Sequence, residues 1–105
     1  MKFSKSGKAI RDKIPQIIKN SGTSCTIKTL SDAQFLKALE VKLGEELQEY
    51  LASKSSEELA DLIEVIHRIA QLNGTSIAKL EKIRKDKARK RGAFKKNLFL
   101  IDFKK

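Results

Sequence analysis

Cysteine occurs once in these 105 residues, as Cys25. No disulfide can form within the chain, which fits a reducing, cytoplasmic setting. Tryptophan is absent, and there are one tyrosine and five phenylalanines. So few rings argue against a protein that stacks single-stranded bases. Long apolar runs are missing too. The longest is residues 98–101, far short of the roughly 20 residues a membrane-spanning helix needs. Lys2, Lys5 and Lys8 are followed by no apolar stretch, so a secretory signal is not expected. No G-x-x-x-x-G-K sequence exists, which excludes a P-loop.

What remains is a small globular chain. Its length suits one domain, residues 1–105, with one modest core. The net charge of +10 is unevenly spread. Residues 1–30 carry +6, residues 31–75 carry −5 and residues 76–105 carry +9. A solvated acidic hairpin between basic ends would account for this. So would a cation held by the middle and an anionic ligand held by the ends.

The pattern predicts a mostly α chain with a small β ribbon. A short helix begins near Asp12, with Pro15 in its first turn, and stops at Asn20-Ser21-Gly22. Residues 25–30 alternate as a strand does, which would bury Cys25. Ser31-Asp32-Ala33-Gln34 is a capping box that opens a long helix to about Ala52. Ser55-Ser56-Glu57-Glu58 is a second, opening a helix that ends at Asn73-Gly74. Thr75 or Ser76 caps a fourth helix, ended by Gly92. Residues 97–103 read as a final strand, paired with residues 25–30.

Helical projection puts carboxylates where apolar residues belong. Glu46 falls between Phe35 and Leu39 on the apolar arc of its helix, with Glu49 and Glu45 at the edge. Glu58 falls between Val65 and Ile69 on the next helix, with Asp61 beside Leu72. A tight hairpin sets Glu49 opposite Glu58 and Glu46 opposite Asp61. Four acids in a square about 5–6 Å on a side repel one another, by about 3 kcal/mol per pair at an effective dielectric of 20. No arginine is apparent on these faces. A divalent cation relieves the repulsion, and an all-oxygen set favours Mg²⁺ or Mn²⁺. The competing expectation is an ordinary solvated acidic face.

Glu45-Glu46-Leu47-Gln48-Glu49 followed by Glu58-Leu59-Ala60-Asp61 resembles the E-E-x-x-E … E-x-x-D signature of the MazG-like nucleotide pyrophosphohydrolases. Arg11-Asp12-Lys13-Ile14-Pro15 and Arg91-Gly92-Ala93-Phe94 resemble the R-D-K-I-P and R-G-G-F motifs of its phosphoribosyl-ATP pyrophosphohydrolase-like subgroup. The resemblance implies an all-α bundle that hydrolyses nucleoside triphosphates, standard or non-standard, to monophosphate and pyrophosphate, often as a homodimer. It implies Mg²⁺ ligation by Glu46, Glu49, Glu58 and Asp61, with Glu45 orienting or deprotonating water or holding a second metal. Arg11, Lys13, Lys87 and Arg91 would hold the phosphates, although Lys87 and Arg91 fit a solvated basic face equally well.

Two features depart from that family. The spacer between the acidic motifs is only residues 50–57, which suits a tight hairpin. Gly44 lies inside a helix, at a cost of about 1 kcal/mol, and marks either close helix packing or a weakly active copy. Glu64-Val65-Ile66-His67 has di-iron spacing but is expected to be a surface pair. The alternatives to an enzyme are a basic nucleic-acid-binding protein using the +9 tail, or an inactive interaction module.

Overall fold

The computed structural model describes residues 7–104; Lys2 and Lys5 lie outside them. The described chain forms four helices: α1 (Ile14–Asn20), α2 (Asp32–Ser53), α3 (Ser56–Leu72) and α4 (Ile77–Arg91). Each start is chemically marked. Pro15 occupies the first turn of α1, where a missing N–H costs nothing. Ser31 caps α2 through both arms of the box: its hydroxyl accepts from the Gln34 N–H, and the Gln34 side chain accepts from the Ser31 N–H. At α3 the second box does not form, and Ser55 acts as a simple N-cap. The Ser55 hydroxyl accepts from the Glu57 N–H, while the Ser55 N–H donates to Ser53. Glu58 is thereby left free for other partners. Ser76, not Thr75, caps α4.

Helices α2 and α3 pack as an antiparallel hairpin, and α4 lies against α3. The turn between α2 and α3 is Lys54-Ser55, with Lys54 left-handed at φ 59°. The core is narrow. Leu39 of α2 and Val65 of α3 enclose Ala9 from the N-terminal segment, flanked by Phe35, Ala38, Leu43, Ile69 and Leu72. Docking Ala9 there brings the following Arg11 against the hairpin.

The predicted ribbon is absent. No strand occurs among the described residues, and no backbone hydrogen bond joins residues 25–30 to residues 97–103. Cys25 is exposed rather than buried. Alternation reports that a face requires cover; it does not say what covers it. The single chain is also drawn out. Its radius of gyration is 17.9 Å, against about 13 Å for a compact chain of this length.

Gly44 does not mark close packing, because a Cβ built there meets nothing within 4 Å. Gly44→Ala should therefore stabilise the protein by about 1 kcal/mol, read as a higher denaturant midpoint. A lower midpoint would mean that a neighbour occupies the space.

Candidate metal centre

The short turn fixes the hairpin register, and the register gathers the acids. Glu46 is only 6% exposed. Glu58 and Asp61 lie one turn apart on α3, the spacing that puts two side chains on one helical face. One carboxylate oxygen from each of Glu46, Glu58 and Asp61 lies within 4.8 Å of the others. Glu49 is exposed and stands outside this trio, but its charge bears on both Glu46 and Glu58. The square expected from the sequence is thus a triangle with a fourth acid at its edge. Two buried oxygens, Oε2 of Glu46 and Oε2 of Glu58, have no hydrogen-bond partner. Orphaned acceptors of this kind are costly in a folded protein.

Among the described residues two cations reach the cluster, and one of them is an arginine, contrary to the expectation that no arginine lies near these faces. The Lys42 ammonium, one turn before Glu46, lies 3.4 Å from Glu46 Oε1 and is only 18% exposed. Arg11 donates to Asp61 at 2.6 Å. Lys42 follows the i,i+4 spacing and was legible in the sequence. Arg11 lies 50 residues from Asp61, and only the docking of the N-terminal segment reveals that pair.

These cations do not balance the acids. Burial raises the pKa of Glu46 first, the Glu49 charge raises it further, and Lys42 opposes both. Glu58 is raised by desolvation, then by Glu49, Asp61 and Glu46. Glu46, Glu49, Glu58 and Asp61 carry four negative charges against two positive ones. The deficit equals the charge of one divalent ion, and the orphaned oxygens supply hard donors for it. The residues therefore fit a divalent cation, which Glu46, Glu58 and Asp61 would hold with Glu49 adjacent.

An open groove of about 1780 Å³ runs beside the cluster. Glu45, Glu46, Asp61, Arg11, Lys13 and Lys42 line it. Lys87 and Arg91 do not; both are exposed on the last turns of α4. Glu64 and His67 also line the groove, outside the carboxylate trio. A di-iron reading gains no support from them.

The raised pKa values set a sign. The folded chain holds these protons more tightly than the unfolded chain. Stability is therefore fullest below the ordinary glutamate pKa of about 4.3 and falls as pH rises through the raised value. Without metal, wild type and Glu46→Gln should melt together near pH 4. Toward pH 7 the variant should become more stable by about 1 kcal/mol, a gain limited by the loss of Lys42's partner. Mg²⁺ should raise the wild-type Tm and leave that of the variant nearly unmoved. Coincident melts at pH 7 with equal Mg²⁺ shifts would contradict the charge deficit.

No protein-family model matches this chain, and no solved structure matches it. An uncharacterized protein of Mycolicibacterium smegmatis is 35% identical over 68 residues, which cover 65% of this chain and 69% of that protein. At that identity and coverage, the chain belongs to the same family as the mycobacterial protein.

Proposed function

We propose that the protein is a Mg²⁺-dependent nucleoside triphosphate pyrophosphohydrolase, as its resemblance to the MazG-like enzymes implies. The observation that supports this most is the pair of buried, unpartnered carboxylate oxygens on Glu46 and Glu58. They belong to the acidic motifs that carry the resemblance, and Asp61 joins them within 4.8 Å. Mn²⁺ is an acceptable substitute for an all-oxygen set. The standard or damaged nucleotide enters the groove, and the setting is cytoplasmic.

The chain's own residues divide the work. A divalent ion, when bound, neutralises phosphate charge that the acidic cluster alone would repel. Arg11 and Lys13, both on the groove, bind phosphate oxygens; the Arg11 guanidinium is half exposed and can serve Asp61 and a phosphate together. Glu45 is exposed on the groove wall. It takes a proton from the water that attacks the α-phosphorus, and the α–β anhydride bond breaks with pyrophosphate leaving.

A second copy belongs to this reading. Leu47 and Leu51 of α2 and Leu59, Ile63 and Ile66 of α3 are all about half exposed. They recur at helical spacing on adjacent helices, the pattern of a face that packs against other helices. Lys87 and Arg91, absent from the groove of their own chain, contact phosphate only if another copy presents them.

Incubation with Mg²⁺ and a panel of standard and damaged nucleoside triphosphates should release pyrophosphate and monophosphate. Arg11→Ala should lower kcat/KM by about 10²-fold. Release of orthophosphate alone would overturn the reading. So would salt-sensitive DNA binding without any hydrolysis, which would point to the basic nucleic-acid binder.

A further inference from the structure

Among the described residues, the C-terminal arm is a largely exposed apolar segment. Leu98, Phe99, Leu100, Ile101 and Phe103 are 69–90% exposed. In an extended segment, alternate residues point to opposite sides, so Leu98 and Leu100 mark one face and Phe99, Ile101 and Phe103 the other. A strand that is apolar on both faces is one that is covered on both faces. Its own chain provides no such cover, since these side chains stay open to solvent.

A second segment has the complementary deficit. Residues 25–30 run without helix or strand, and their backbone N–H groups donate to no backbone acceptor among the described residues. Ile27 is largely exposed. A row of free donors and acceptors is a template for an added strand. The charges also complement each other: Lys28 is the one charge in residues 25–30, and Asp102 is the one in residues 97–103.

The two segments do not meet within one chain. Gly92 (φ 85°) and Asn97 (φ 57°) turn the backbone at the root of the arm and just before its apolar run. Together with a radius of gyration well above that of a compact chain, this describes a fold finished by another molecule.

We propose that two copies exchange arms, with residues 97–103 of each forming a β-strand against residues 25–30 of the other. This inference rests on the second-copy part of the reading above and is independent of the hydrolytic part. It assigns the ribbon to the interface between chains and gives both apolar faces of the arm a place to be buried.

Because Cys25 is the sole cysteine, the exchange can be mapped directly. Single cysteines would be placed at each position from 98 to 103, with Cys25 retained, and the proteins mildly oxidised. Non-reducing electrophoresis should show covalent dimers at alternating positions, the two-residue period of a strand, and none in a Cys25→Ser background. Disulfides closed within one chain would overturn the proposal, and so would dimers with no alternation or no cross-link at any position. Sedimentation equilibrium of a chain ending at Lys96 provides the second readout. Its dimer dissociation constant should rise at least tenfold over that of the full chain. Equal dimerisation would overturn arm exchange while leaving the helix-face dimer standing; a monomeric full chain would overturn both.

Discussion

Placing the Glu46 carboxylate in the seam between α2 and α3 commits the chain to supplying positive charge there. A carboxylate this buried has lost most of its water, and the loss must be compensated by pairing, protonation or a bound ion. The chain provides Lys42 and Arg11. It then adds Glu58 and Asp61 from the facing helix and exceeds what those cations can balance. Apolar residues at Glu46 and Glu58 would serve the hairpin better if folding were their only purpose. A bound divalent ion, as proposed, would account for the arrangement.

The rest of the architecture serves that placement. The brief Lys54-Ser55 turn keeps α2 and α3 in the register that brings Glu46 level with the first turns of α3. Ala9, buried between Leu39 and Val65, anchors the N-terminal segment so that Arg11 reaches Asp61 and opens onto the groove. Little remains for general stability. Among the described residues five hydrophobic ones are buried, two of them alanines, while large apolar side chains line the outer hairpin face and the arm. The carboxylate trio is formed within one chain, and the large apolar surface around it stays exposed.

The helices and the acidic cluster were legible because their signals are local. Ser31 with Gln34, Gly92 after a basic run, and Glu46 inside an apolar arc each report on residues within a turn or two of chain. Relations across the chain were less so. Arg11 looked like a phosphate ligand and is also Asp61's partner, a pairing that depends on where Ala9 docks. Glu49 matches Glu58 in level and bears on it, but it stays exposed at the edge of the trio, because helical projection fixes an angle and not a depth of burial. The expected ribbon is absent among the described residues, because alternation reports a face that requires cover and not what covers it. The proposed hydrolysis rests on motif resemblance and charge balance, with Glu46, Glu58 and Asp61 as its geometric support.

The central claim is that the charge deficit of Glu46, Glu49, Glu58 and Asp61 against Lys42 and Arg11 creates a divalent-cation site. Its most direct test is titration of the metal-free protein with Mn²⁺, followed by electron paramagnetic resonance of the free ion, for wild type and Glu58→Gln. The account predicts saturable binding of about one ion per chain in the wild type, from the two-charge deficit, and at least tenfold weaker binding in the variant. Equal and non-saturating uptake by both proteins would contradict it.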